Sequence, residues 1–346
     1  MKDFVFDMNY TKKALTLLLL AGLLASLTSC GDEKKILEST KEEKTVVMTV
    51  DGNDVPMELY RYVALQYRDS YGGNDNPDIW LGESGAELLA ELNADVDESI
   101  IRLFTTISLC EDYGINEDDS YINDAVEISM DEVYETYHYD YEEYVRSIAE
   151  YNMNDSVYRF LIRNDVLAEE LLAKMMMNGE VPSTEEELRA IMNTDEVIRV
   201  KQILVNDTTL TEEENRRLAE EAYSRALAGE DFDTLVNQYG DDWQMFNNTD
   251  GYYISRGSYN QVFEDTAFGL EIGEMSGIVE TEAGFSIILR LEKESDYIDK
   301  HFKTLMDEYL KGLYNIVLEK HEATLTVEKT DKLADYTIFN MTMNKD

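Results

Sequence analysis

The chain reads as an α+β protein: a mostly helical domain formed by its N- and C-terminal segments, with a β-α-α-α-β-β unit inserted between them. Three observations predict this. Apolar residues recur at helical spacing from 59 to 177 and again from 298 to 316. Between 197 and 293 the pattern changes to β-branched runs, capped short helices and strict alternation. Two lone strand-like runs, 45–50 (TVVMTV) and 323–328 (ATLTVE), stand at opposite ends of the helical part, which predicts that they pair in one sheet. With 44% apolar and 10% aromatic residues the chain can build cores despite a net charge of −43. That charge, 73 acidic against 30 basic side chains, repels a phosphate backbone and excludes nucleic acid as a partner. Three prolines leave no room for Pro-rich linkers.

Residues 1–29 have the form of a secretory signal. Lys12 and Lys13 precede fourteen apolar or small residues from Ala14 to Leu27, too few to span a membrane as a helix. Leu27-Thr28-Ser29-Cys30 resembles the lipobox of bacterial lipoproteins, which implies a lipid anchor on Cys30 at the extracytoplasmic face of a membrane, of a Gram-positive bacterium. The other reading is a plain secreted protein with a chance cysteine. The polar, charged stretch 30–44 reads as a tether. With Cys30 lipidated, Cys110 is the remaining thiol, and its place at the end of an apolar helix face marks it as a buried structural cysteine.

The helical domain, expected over 45–194, opens with the 45–50 strand and a turn at Asp51-Gly52-Asn53-Asp54. Helices follow after Pro56 (Leu59, Val63, Tyr67), over 87–110 (Leu92, Val96, Ile100, Ile107), near 117–137 and over 155–177. Residues 111–155 carry fifteen acidic side chains, one basic (Arg146) and eight tyrosines. Two readings stand: a solvated helical face with tyrosines on its core side, or a surface for unfolded basic clients. Ser183 and Glu186 have capping-box spacing before a short helix.

The second domain is expected over 195–293. Residues 197–205 (VIRVKQILV) form its first strand, and Thr211 with Glu214 caps a helix ending near Gly229. Short helices follow at Phe232–Tyr239 and 261–270, then a hairpin turning at Ala283-Gly284. Residues 294–346 return to helical spacing (Ile298, Phe302, Leu305, Tyr309) and end in the 323–328 strand, completing the first domain.

Across 197–293, VKQILV, AYSRALAGEDFDTLVNQYGDD and DGYYISRGSYNQVFEDTAFGLEIGEMSGIVETEAGFSIILRLE resemble, in order, the parvulin (PpiC/rotamase) family of peptidyl-prolyl isomerases. With the lipobox and the helical flanks, the whole chain resembles the PrsA/SurA-type secretion foldases. The resemblance implies an extracytoplasmic foldase for exported, Pro-containing polypeptides, needing neither metal nor cofactor. The family's centre uses two histidines with a Cys or Asp between them and an aromatic-aliphatic proline pocket. Here the histidine positions hold Gln202 and Ser286, and the Cys/Asp position holds Asp242, with Asp241 beside it. Phe263 and Tyr259 match the pocket, and Tyr252 and Tyr253 match an aromatic turn.

Gln and Ser form hydrogen bonds but do not titrate near neutrality, so the replacement predicts weak isomerase activity. The alternative is a non-catalytic client-binding chaperone with a degenerate parvulin domain. Phe263 also fits plain core packing, and Asp241 and Asp242 fit turn residues. His138, His301 and His321 lie outside the parvulin segment without metal-ligand spacing, and no Ser/His/Asp arrangement is attached to a motif.

Overall fold

The computed structural model describes residues 43–71, 77–246, 248 and 250–336. The signal segment 1–29, the Cys30 anchor and all of the tether but residues 43 and 44 lie outside the described residues. The described residues divide into two compact units, one within 176–317 and the other within 43–175 and 318–336.

In the second of these, β1 (Val46–Val50) and β2 (Asn53–Pro56) form a hairpin. Its two-residue turn puts Asp51 at φ 50° and Gly52 at φ 82°, the left-handed pair that suits strand twist. Helices α1 (Met57–Ser70), α2 (Gly82–Asp112), α3 (Ser120–Thr136), α4 (Tyr141–Ala149) and α5 (Asp155–Asn178) follow. The apolar stripe of α2 is buried at Leu92, Val96, Ile100 and Ile107, as its spacing requires. Cys110 is buried, its thiol directed at the Leu167 carbonyl, and burial pushes its pKa up to about 12, so it is an inert core thiol.

α4 lies within the acidic stretch, where the sequence reading placed no separate helix. Asp140 caps it by accepting from the Glu143 N–H. Tyr144 is fully buried beneath it, with Tyr134 edge-on at 5.1 Å and Tyr158 at 5.8 Å, and donates to Asp155. Tyr121, Tyr139 and Tyr141 stay partly exposed, so the stretch is packed on one side and meets solvent on the other.

The terminal strand pairs antiparallel with β1, Met48 opposite Lys329 and Val50 opposite Val327. That strand, β7, is Val327–Lys329 and not 323–328, because the helix before it runs to Glu322 and residues 323–324 turn to leave it. The fold also makes a cluster that no motif announces. Ser108 Oγ donates to Asp51 Oδ2 (2.6 Å) and lies 2.9 Å from His321 Nε2, while His321 Nδ1 is 3.7 Å from Asp112. Ser108 is 4% exposed and committed to Asp51, so the cluster is a buried tie and not a nucleophile.

The other unit contains α6 (Glu185–Met192), β3 (Val197–Val205), α7 (Glu212–Leu227), α8 (Phe232–Tyr239), β4 (Tyr252–Ser255), α9 (Gln261–Gly269), β5 (Met275–Thr281) and β6 (Gly284–Leu291). It also takes the greater part of α10 (Ser295–Glu322). The sheet is antiparallel, in the order β4-β3-β6-β5. β4 adds a strand to the expected β-α-α-α-β-β order, at the place read as an aromatic turn. Central β3 is covered on both faces. Ile203 and Val205 pack with α7 and α8, and Ile198 and Val200 pack with α9.

This unit is drawn more widely than 195–293, since α6 and residues 295–317 belong with it. Arg189 on α6 pairs with Asp299 at 2.9 Å and covers the Phe302 ring at 4.0 Å, and Tyr309 donates to Glu196. The cap of α6 is Thr184 with Glu187, one residue beyond the Ser183/Glu186 pair, and α7 is capped by Thr211 with Glu214 as expected.

Candidate active site

Strand alternation decides which side chains meet. On β3 the even positions face α9, so Gln202 shares that face with Ile198 and Val200. On β6, Leu204 pairs with Ser286 and Gln202 with Ile288, which puts Ser286 on the same face, diagonal to Gln202. The Ser286 hydroxyl donates to Gln202 Oε1 at 3.2 Å, and Gln202 Nε2 donates to Asp242 Oδ2 at 2.9 Å. Tyr252 joins from β4, its hydroxyl 2.8 and 3.0 Å from the two Asp242 oxygens. Asp242 also accepts from the Gln244 N–H at 3.2 Å, which shapes the turn it opens.

The three sequence-predicted polar positions therefore converge, and Tyr252 completes the chain. Ser286 is 2% and Gln202 7% exposed, so these groups act in a desolvated setting. Burial, the hydrogen bond to Asp242 and its charge, in that order, raise the Tyr252 pKa well above that of free tyrosine. Its phenol therefore stays a donor across the physiological range. Asp241 takes a different part: its carboxylate accepts from the Asn206 N–H and its own N–H donates to the Leu204 carbonyl, tying the loop to the end of β3.

Phe263 on α9 is buried against Ile198, Val200 and Ile288, on the face that carries Gln202 and Ser286. Tyr259 stacks on it at 5.2 Å with 40% of its own surface exposed, so the pair forms an aromatic floor with an open side. Burial, together with the negative charges of Glu308, Asp242 and Glu264, pushes the Tyr259 hydroxyl up to about 12. Tyr253 points to the opposite face from Tyr252, as consecutive strand residues must. It stacks on Tyr297 at 4.7 Å, and its hydroxyl accepts from the Glu294 N–H, so it stands outside the polar chain.

Glu264 was not anticipated. Its buried carboxylate accepts from the Ser258 and Tyr259 N–H groups (2.9 and 2.8 Å) and so fixes the loop that presents Tyr259. The signal was an acid at capping distance from a loop, inside a helix whose N-cap role Asn260 already fills.

Among the described residues no group of three or more His, Cys, Asp or Glu is arranged to hold a metal ion. No helix among them is long and apolar enough to cross a membrane. The site offers donors, one carboxylate and an aromatic floor, and no group placed as an attacking nucleophile.

Residues 197–292 match the rotamase family of PPIC-type peptidyl-prolyl isomerase domains. A foldase protein PrsA from Caldanaerobacter subterraneus subsp. tengcongensis is 25% identical over 319 residues, 90% of this chain and 92% of the relative. A second PrsA, from Halalkalibacterium halodurans, is 36% identical over 146 residues, spanning 41% of that protein. The crystal structure of the peptidylprolyl isomerase PrsA from Bacillus anthracis overlies 71% of this chain and 100% of its own, with 17% identity and a TM-score of 0.36. Residues 197–292 are thus a parvulin-type rotamase domain, carried in a chain that is similar to a PrsA foldase along most of its length.

Proposed function

We propose that this protein is a membrane-anchored extracytoplasmic foldase that binds Pro-containing segments of exported polypeptides and isomerises X–Pro bonds at a reduced rate. The observation that carries it is the convergence of Ser286, Gln202, Asp242 and Tyr252 on the sheet face that also carries Phe263.

Rotation about X–Pro must cross about 18–20 kcal/mol, which amide resonance imposes. Every 1.36 kcal/mol removed is worth about tenfold in rate. Phe263 and Tyr259 supply an apolar seat for the pyrrolidine ring, and desolvation there favours the less polar twisted amide. The Gln202 amide has two N–H donors and spends one on Asp242, so the other is available to the twisted amide. The Asp242 carboxylate, held by Tyr252 and Gln244, keeps that amide oriented. Neither Gln202 nor Ser286 can place a cation beside the bond as imidazolium does, and this is the physical basis for the reduced rate.

The test is cis/trans exchange on a proline tetrapeptide, measured by NMR. Phe263→Ala is expected to lower the catalysed rate about tenfold or more by removing the seat. Full activity in that variant would overturn the site assignment.

A second reading has its own support. Gln202 and Ser286 are hydrogen-bonded to each other inside the site, the arrangement of two positions satisfied as core. On that reading the domain binds Pro-containing segments without turning them over, and no variant of the site changes the exchange rate.

A further inference from the structure

α10 lies beyond residues 197–292, the stretch that matches the rotamase family, yet it builds a wall beside the candidate site. A cavity of about 350 Å³ runs between α10 and β4 with the loop that follows it. Tyr252 and Tyr259 line it from the site, and Tyr297, His301, Glu308 and Lys311 line it from α10. The cavity therefore borders the candidate centre, with two tyrosines shared between them. Its α10 wall is fixed by the Tyr253–Tyr297 stack and by Asn315 Nδ2, which donates to the Gly257 carbonyl at 2.9 Å.

Among the described residues neither the Tyr259 hydroxyl nor the Glu308 carboxylate, both lining this cavity, has a hydrogen-bond partner, and the Lys311 ammonium that also lines it has none either. Glu308 is the foremost charge acting on Tyr259, followed by Asp242 and Glu264, and no cation opposes the three. Lys311 acts on Glu308 from the same helix and offsets part of its charge, but leaves the Tyr259 side negative. Tyrosine faces beside a carboxylate that holds no hydrogen bond are surroundings that attract an organic cation, through ring quadrupoles and a charge-assisted hydrogen bond.

We propose that this cavity is a subsite for a lysine or arginine side chain flanking the proline of the client, held by Glu308 and the tyrosines around it. The proposal rests on the client-binding reading above and adds the class of sequence that the site selects. Seating a neighbouring side chain there would spend binding energy to orient the X–Pro bond over Phe263.

The experiment uses the full chain and two peptide pairs, Ala-Lys-Pro-Phe and Ala-Pro-Lys-Phe, each with its norleucine isostere. Affinity is read from NMR titration and turnover from exchange spectroscopy, at low salt. In at least one pair lysine is expected to bind about 5–10-fold more tightly than norleucine, in the range of a partly exposed charge-assisted contact. Glu308→Gln should bring that ratio to about 1, and Glu308→Lys should turn the preference toward a glutamate peptide. Equal binding of lysine and norleucine at both positions overturns the proposal, as does a lysine preference that survives Glu308→Gln. A lysine preference lost in Glu308→Gln, without turnover of any peptide above the uncatalysed rate, upholds the subsite and removes the isomerase reading.

Discussion

Tyr252 shows how one hydroxyl organises the candidate centre. Its phenol bridges both oxygens of Asp242, which in turn orients the Gln202 amide. Tyr252→Phe keeps the ring between the two core clusters and removes only that donor. The expected result is a loss of about 1 kcal/mol in unfolding free energy, read by urea denaturation, with exchange activity lower by about 3–10-fold. A loss of stability without a change in rate would reduce the network to scaffolding. The sequence supplied the positions of Gln202, Asp242 and Ser286 through their place in an ordered resemblance, but not the part played by Tyr252. Two adjacent tyrosines in a short segment between Gly251 and Gly257 read as a turn. Only the pairing of Val200 with Tyr252 and Arg199 with Tyr253 decides which ring turns toward Asp242. Long-range register of this kind leaves no local mark in the residues.

At the scale of elements, the approach of α10 to the loop after β4 depends on two glycines. Gly257 has φ +81°, and a Cβ there would stand 2.2 Å from the Gly312 carbonyl oxygen; a Cβ on Gly312 would stand 2.4 Å from that of Arg256. Gly312→Ala should therefore cost about 1–3 kcal/mol by overpacking. Gly269→Ala, whose Cβ would meet nothing within 4 Å, should be neutral or stabilising by up to about 1 kcal/mol, as helix propensity gives. Thermal denaturation of the two variants compares them directly. In the other unit, α5 carries Asp165, whose burial raises its pKa to about 7 from 3.8. A carboxyl raised in the folded state binds more protons there than in the unfolded chain. Stability is thus greatest below about pH 4 as far as this group is concerned, and is lost as the pH rises toward 7. Asp165→Asn should raise the unfolding free energy at pH 7.5 by on the order of 2 kcal/mol and by much less at pH 4, seen in parallel urea titrations. The helix itself was legible from its spacing, and so was the Thr211/Glu214 cap. The α6 cap slipped by one residue because Ser183 and Thr184 are both good caps with a glutamate three residues on, and only the backbone chooses between them. α4 went unseen since its buried face is only Tyr144 and Ile148, and composition alone assigns a tyrosine equally to core and to surface.

For the whole molecule, chain topology and charge lead to one experiment. The rotamase segment begins and ends side by side: Arg199 pairs with Leu291, and Lys293 Nζ donates to the Val197 carbonyl at 2.7 Å. Residues 197–293 can therefore be replaced by a short flexible linker without stretching the flanking backbone. The resulting deletion variant keeps the 111–155 stretch, whose fifteen acidic side chains face one basic residue and whose Tyr121, Tyr139 and Tyr141 remain exposed. Acidic charge interleaved with exposed rings suits loose capture of unfolded basic segments, an interaction that salt screens within about 10 Å at 0.1 M. On the foldase reading, the deletion variant should still suppress aggregation of a basic unfolded client in light scattering, and the suppression should fall steeply as salt is added. The complete chain should show the same salt dependence in holding, while its exchange activity on a short neutral proline peptide stays nearly constant, because seating a pyrrolidine on Phe263 involves no net charge. Holding that vanishes with residues 197–293 would move client capture into the rotamase domain itself. Holding indifferent to salt would leave the net charge of −43 as a device for solubility alone.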